Sequence, residues 1–255
     1  MTKSILDVVR LGKSFEVKSK KSLWAKPARV QVLHDISFRL LEGETLSIVG
    51  ESGCGKTTLG RCIVRGMPAS SGEVNYHAEG GETIDYLKLK GENAKKYRKD
   101  IQMIFQDPYS SLSPRMSVYD IIAEPLIANF KLKKSEIEDK VTEIAGRTGL
   151  NVSYLQRYPH AFSGGQRQRI AIARALIMQP RLIVCDEAVS ALDVSIQAQI
   201  INLLKDLQEQ YQITYIFISH DLSIVQNISD RVAVMHLGRI VELASTESMF
   251  SQPKH

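Results

Sequence analysis

The sequence predicts an α/β fold: a parallel sheet flanked by helices, preceded by a strand-rich segment and interrupted by a helical insertion. Three observations carry that prediction. Runs such as Leu46-Ser47-Ile48-Val49, Leu182-Ile183-Val184-Cys185 and Tyr215-Ile216-Phe217-Ile218 are almost wholly apolar, the pattern of strands covered on both faces. Ile196, Ile200, Leu203, Leu204, Leu207 and Tyr211 recur at helical spacing, the apolar stripe of a helix packed on a sheet. The stretch from about Asp107 to Ala173 reads as helix and loop and breaks the strand–helix alternation.

Taken in order, Leu6-Asp7-Val8-Val9 alternates weakly and Val32 to Leu40 alternates well, giving two N-terminal strands. Between them lies a basic stretch, Lys18 to Arg29, that contains Trp24 and reads as a solvated loop insertion. Leu46 to Val49 is a buried strand that leads into a helix from Lys56 to Val64, and Ile101 to Phe105 is a further strand. A helix is expected near Ser135, where Ser135 and Glu138 fit a capping box and Ile137, Val141, Ile144 and Ala145 share one face. Val232 to Met235 closes the series of buried strands.

The 255 residues carry a net charge of +5 and are 44% hydrophobic, which excludes wholly disordered and collagen-like chains. No apolar run approaches the roughly 18–20 residues needed to span a bilayer. The N-terminal Met1-Thr2-Lys3-Ser4-Ile5-Leu6-Asp7 puts an acid where a signal peptide needs its apolar stretch, so a cytoplasmic, soluble chain is expected. Cys54, Cys62 and Cys185 lack metal-ligand spacing and read as reduced packing residues. The modest positive charge suits nucleic acid and an anionic membrane equally and decides nothing.

Two motifs carry chemistry on their own. Gly50-Glu51-Ser52-Gly53-Cys54-Gly55-Lys56-Thr57, followed by Thr58, sits between a buried strand and a helix, the context of a phosphate-binding loop. Its glycines let successive N–H groups face a triphosphate, the helix N-terminus adds its dipole, Lys56 supplies a point charge and Thr57 a hydroxyl for Mg²⁺. The second motif is the strand ending in Asp186 and Glu187. Asp186 is placed to hold Mg²⁺ through water, and Glu187 to orient or deprotonate an attacking water.

A third motif points to a family. Phe162-Ser163-Gly164-Gly165-Gln166, followed by an Ala-rich apolar helix, closely resembles the signature of ABC-type ATPases, which normally reads L-S-G-G-Q. Phe105-Gln106-Asp107 resembles the Q-loop, Ser190-Ala191-Leu192-Asp193 the D-loop, and Ser219-His220-Asp221 the switch histidine. Phe15 falls where that family often stacks an aromatic on adenine, although a core phenylalanine fits the strand as well. Within the family the chain resembles the ATPase subunits of peptide and nickel importers. That likeness rests on Gly50-Glu51-Ser52-Gly53-Cys54-Gly55-Lys56, Phe105-Gln106-Asp107-Pro108-Tyr109-Ser110-Ser111-Leu112, Tyr158-Pro159-His160 and Ser190-Ala191-Leu192-Asp193-Val194-Ser195. Ala188-Val189 departs from the usual Pro-Thr, and the subfamily continues beyond Gln252-Pro253-Lys254-His255 with a further C-terminal segment.

The resemblance implies the ABC ATPase fold: an α/β P-loop NTPase (RecA-like) core with an N-terminal antiparallel β subdomain and an inserted α-helical subdomain. Its expected parts within 1–255 are about 1–45 and 68–100 for the β subdomain and about 107–175 for the helical one. The core then takes 46–66, 101–106 and 176–245. ATP and Mg²⁺ are the implied cofactors, with Gln106 joining Thr57 and Asp186 as a metal contact and His220 touching the γ-phosphate. The implied working unit is a head-to-tail ATPase dimer, homodimeric or, as in the subfamily, heterodimeric. In it Ser163, Gly164, Gly165, Gln166 and Asp193 complete the partner's nucleotide site. Two transmembrane permease subunits and, indirectly, a solute-binding protein complete the machine, which would sit on the cytoplasmic face of the cell membrane without nucleic acid. Tyr109, Leu112, Met116, Tyr119, Ile121 and Ile122 are candidates to line a groove for the permease, burial being the alternative for several. Peptides lead as the transported class, a nickel or metal-chelate importer is the alternative, and a soluble ATPase acting on nucleic acid is the remaining rival.

Overall fold

The computed structural model describes residues 3–17 and 28–255. The expected loop insertion, with Trp24, therefore falls largely outside the described residues. The chain opens with strands β1 (Ser4–Val17), β2 (Ala28–Leu41) and β3 (Thr45–Gly50), helix α1 (Lys56–Ile63), and strands β4 (Ser71–His77) and β5 (Thr83–Asp85). The middle contains α2 (Gly91–Arg98), β6 (Ile101–Ile104), α3 (Pro108–Ser111), α4 (Val118–Asn129), α5 (Lys134–Arg147) and α6 (Gly164–Leu176). Strand β7 (Leu182–Asp186), α7 (Val194–Tyr211), β8 (Thr214–Ile218), α8 (Leu222–Ile228), β9 (Arg231–His236), β10 (Arg239–Ser245) and α9 (Thr246–Ser251) follow. Two compact units emerge, one from Met1–Gly91 with Ile216–His255 and one from Glu92–Tyr215.

In the first unit, β2-β1-β4-β5 form an antiparallel sheet, with Val8 opposite Phe38 on one side and Val74 on the other. Alternation explains it: β2 buries Leu33, Ile36, Phe38 and Leu40 while its intervening residues stay wetter. Strand β3 instead is buried from Thr45 to Val49 and pairs in parallel with β9. Val49, Val232, Val225 and Met249 close a small core beside that pair. Both N-terminal strands run several residues beyond their apolar cores, because backbone pairing of β1 with β2 continues as far as Val17 opposite Ala28.

In the second unit, β6 and β7 pair in parallel, Ile101 opposite Leu182 and Ile104 opposite Cys185. Helix α7 buries Ile200, Ile201, Leu204 and Leu207, whereas Ile196, Leu203 and Tyr211 are half-buried at the edges of the stripe. The expected cap of α5 is corrected toward the N-terminus. Lys133 holds the cap position and its N–H donates to the Glu136 carboxylate at 2.6 Å, so the reciprocal Ser135–Glu138 box does not form. A lysine side chain has no acceptor, which leaves this cap one-sided. Leu112, Ile121 and Ile122 are corrected too: each is buried in the helical part and presents nothing to a groove, while Tyr109 is exposed and Met116 and Tyr119 are half-buried.

Candidate active site

The first unit holds Gly50 to Thr58, His220 and Phe15. Strand β3 delivers Gly50 in a conformation (φ 148°) that an L-residue avoids, and a Cβ there would collide with the Met235 carbonyl. The loop then turns through Glu51, Ser52 and Gly53 on the surface before Cys54, Gly55 and Lys56 become buried. Its shape is pinned from outside. Gly238, at the turn between β9 and β10, donates to the Cys54 carbonyl at 3.0 Å and accepts from His34 N–H at 2.8 Å. Gly55 caps α1 in a left-handed conformation with no side-chain acceptor. Helix α1 thus begins at the loop with no cap side chain over its N-terminal end.

Lys56 is only 5% exposed, and its ammonium donates to the carbonyls of Gly50 at 2.7 Å and Glu51 at 2.9 Å. It is held inside its own loop, its charge partly neutralised by backbone dipoles. Thr57 and Thr58 follow, half-buried, on the first turn of α1. His220 is exposed just past β8, where Ser219 N–H donates to the Ile48 carbonyl of β3 at 3.2 Å. The switch position is thereby tied to the strand that feeds the phosphate loop. Asp221 caps α8, and the hydrogen bond from Ser223 holds its carboxyl below the ordinary value. Phe15 is 37% exposed on β1 with the Lys13 ammonium 4.8 Å from its ring centroid, so it is a surface ring rather than a core one.

The second unit holds Gln106, Ser163 to Gln166, Asp186, Glu187 and Asp193. Asp186 ends β7 at 1% exposure, and the neighbouring Cys185 thiol is pushed up by burial and so stays protonated. Glu187 takes a left-handed backbone (φ 48°), a strained choice for a residue with a Cβ. Ser190 fixes that turn: its N–H and its hydroxyl both donate to the Glu187 carbonyl, at 3.1 and 3.0 Å. The turned carboxylate meets the Q-loop residue, because Gln106 Nε2 donates to Glu187 Oε2 at 2.8 Å. Residues far apart in sequence are brought together here. Neither is buried, so the pair is open to solvent and to ligand.

The Ser-Gly-Gly turn caps α6. Ser163 Oγ accepts from Gln166 N–H at 3.3 Å and Gln166 Oε1 accepts from Ser163 N–H at 3.0 Å. Ser163 is exposed and retains its hydroxyl proton for an outside acceptor. Gly165 is required by packing inside the chain: a Cβ would lie 2.6 Å from Ile196 Cγ2 on α7. Phe162 is buried and anchors the turn as leucine does in the usual signature.

Comparison with known proteins bears on this arrangement. The ABC transporter family matches residues 33–190. This chain belongs to that family. The cassette is 51% identical to the oligopeptide transport ATP-binding protein OppF of Haemophilus influenzae over 98% of this chain and 75% of that protein. It is 48% identical to the dipeptide transport ATP-binding protein DppF of the same species, over 98% of this chain and 75% of the relative. Among solved structures, CbiO1 of Clostridium perfringens, part of the ABC transporter complex CbiONQ, superposes with a TM-score of 0.80 at 30% identity, over 98% of this chain and 92% of that one. A dimeric, post-hydrolysis ATP-binding cassette, MJ0796 bound to ADP and Pi, gives 0.79 at 26% identity, over 95% and 99%. The antiparallel β-sheet, parallel strands and helical part are the fold of an ABC ATPase, and the cassette is an ATP hydrolase.

Three features of this ABC cassette escape sequence reading. The Gly238 prop beneath the phosphate loop was signalled only by a Leu-Gly turn between two apolar runs. The left-handed Glu187 had no signal, since acids rarely mark positive φ. The stack of the Arg167 guanidinium on Tyr109, 4.0 Å from the ring centroid, joins segments that no local pattern relates. Among the described residues no three His, Cys, Asp or Glu side chains converge as a metal cage, and no helix is long and apolar enough to cross a membrane.

Proposed function

We propose that this cassette is the ATP-hydrolysing subunit that drives a peptide importer, working as a head-to-tail pair on the cytoplasmic face of the membrane. The observation that carries this reading is the exposed, helix-capping Ser163 turn in a chain that already has its own phosphate loop. A second anion site on a separate unit makes sense as the complement to another subunit's nucleotide. The 51% identity to an oligopeptide transport ATP-binding protein and 48% to a dipeptide one support peptides as the transported class.

In this reading Phe15 stacks on adenine and Gly50 to Thr58 cradle the phosphates. Lys56 exchanges its bonds to Gly50 and Glu51 for the β- and γ-phosphates, so its burial costs little on either side of the exchange. Thr57 and Asp186 would hold Mg²⁺ through hard oxygen donors, and the ion would offset charge on the transferred phosphoryl group. Glu187 orients the attacking water and accepts its proton, while His220 holds the γ-phosphate geometry. Gln106, which donates to Glu187, would release that carboxylate in order to sense the γ-phosphate or Mg²⁺. Ser163 through its hydroxyl proton, the N–H groups near Gly164 and Gly165, Gln166 and Asp193 close over the partner's nucleotide. Cleavage of that shared anion lets the two parts separate, a switch driven by one phosphoryl group.

The partners in this reading are a second ATPase, a copy or a sister subunit, two permease subunits and a solute-binding protein. The expected parts, a β subdomain at 1–45 and 68–100, a helical one at 107–175 and a core from the rest, are proposed as the pieces that move. The test is reconstitution with the membrane and solute-binding subunits that co-purify with the chain. Peptide-loaded binding protein is expected to stimulate ATP hydrolysis, and stimulation by a nickel chelate with none by peptide would favour the alternative cargo.

A further inference from the structure

Helix α3 begins two residues after Gln106 and is gripped at both ends by arginines of α6, the helix that the Ser163 turn caps. At its N-terminal end, Asp107 caps the helix by accepting from Tyr109 N–H at 2.7 Å. The Arg167 guanidinium lies 4.0 Å from the Tyr109 ring centroid, and its Nε donates to the Pro159 carbonyl at 2.8 Å. At its other end, Arg174 Nη1 donates to the Ser111 carbonyl at 2.9 Å, and Nη2 lies 3.5 Å from Glu124 of α4. Arg167 and Arg174 are about two helical turns apart and so share a face of α6. A planar, multi-donor guanidinium can lie flat on a ring and bond a carbonyl at once.

We propose that Arg167 and Arg174 are positioning residues that fasten α3 to α6, so that the Gln106–Glu187 bond and the placing of Ser163 are set together. The inference rests on the roles assigned above to Glu187 and Ser163. A line of direct contacts runs from the Glu187 carboxylate through Gln106, along the chain to Tyr109, across to Arg167, and down α6 to its cap. Tyr109 is 61% exposed, so its ring is held by the Arg167 stack and not by burial.

The experiment is a double-mutant cycle of Tyr109→Leu and Arg167→Gln, with Tyr109→Phe as the conservative control, in steady-state ATP hydrolysis by the whole chain. Each single change is expected to lower kcat by about three- to tenfold with KM for ATP within about twofold, as for a contact needed only after binding. The double variant is expected to be no slower than the slower single one, because both break one link, and Tyr109→Phe to regain most of the rate. Melting temperatures report folding and should stay close to the parent, given the exposure of Tyr109. Fully additive losses, an unchanged kcat in either single variant, or a Phe variant as slow as the Leu variant would overturn the proposal. Glu187→Gln, assayed in parallel, separates the two levels. If it still turns over, the site assignment fails and the clamp falls with it. If it is inactive while Tyr109→Leu matches the parent, the clamp alone is wrong.

Discussion

The phosphate loop and the Ser163 turn both set glycines at a helix N-terminus, yet they are built in opposite ways. Helix α1 has no side-chain cap, and its buried Lys56 is satisfied by carbonyls of the loop itself. Helix α6 is capped reciprocally by Ser163 and Gln166, and that cap lies open at the surface. The first cradle therefore sets no cap side chain between its helix end and an anion. The second carries a cap of its own, in which Ser163 and Gln166 bond each other, and offers the exposed Ser163 hydroxyl and the helix end beside it. In the proposed reading the loop binds the triphosphate of its own protomer and the turn tightens the hold on its partner's. Such a division of labour suits an interface that must form with ATP and come apart without it.

The largest expected effect is on the cradle that binds alone. Gly50→Ala drives a Cβ into the Met235 carbonyl at a backbone angle that alanine resists, and should weaken ATP binding by about 100-fold or more, equivalent to about 3 kcal/mol. Fluorescent-nucleotide titration measures it. Gly165→Ala should leave that affinity nearly intact, because its Cβ meets Ile196 on α7 and no residue of the phosphate loop. Hydrolysis should still fall by about tenfold as the turn is pushed outward, a cost of about 1–2 kcal/mol. Loss of nucleotide affinity in Gly165→Ala, or its retention in Gly50→Ala, would erase the contrast between the two cradles.

The smallest effect concerns the antiparallel sheet, which contributes to neither cradle. Asp7 accepts from His77 Nε2 at 2.9 Å, from Arg39 Nε at 3.1 Å and from Ser4 Oγ at 2.8 Å. Burial pushes its carboxyl up, but the bonds from His77 and Ser4 and the charges of His77 and Arg39 outweigh burial and hold it below the usual value. A depressed native pKa means that the unfolded chain takes the proton first as pH falls. Its stabilisation is complete above the unfolded carboxyl value, about 3.9, and is lost as pH drops through the lower native one. Asp7→Asn should flatten the acid limb of a melting-temperature profile below about pH 4 and leave ATP hydrolysis unchanged. A steeper acid limb would show the sign to be wrong.

Much of this was legible in the residues. Buried strands such as β3, β7 and β8 announce themselves because both faces are covered and nearly every position must be apolar. Gly50 to Thr57 and Ser163 to Gln166 are legible because anion binding by backbone demands glycines at fixed spacing before a helix. Tertiary decisions were not. Ile121 and Tyr109 look alike as apolar residues of a helical region, yet one is core and the other is exposed, since facing depends on what α6 covers. Ile201 is buried although it lies off the expected stripe, because α7 is covered over a wider arc than that stripe implies. Strand β10 alternates between exposed and half-buried residues, too wet a pattern to stand out from a loop. The left-handed Glu187 follows from a turn closed by Ser190 and not from any preference of glutamate.

The division of labour between the cradles is tested most directly by sedimentation velocity of Glu187→Gln with and without ATP. With the water-activating carboxylate neutralised and the phosphate loop intact, saturating ATP should convert a monomer into a stable dimer, and ADP should leave it monomeric. A monomer that persists at high protein concentration, while titration shows every phosphate loop filled, would contradict a nucleotide shared between two Ser163 turns.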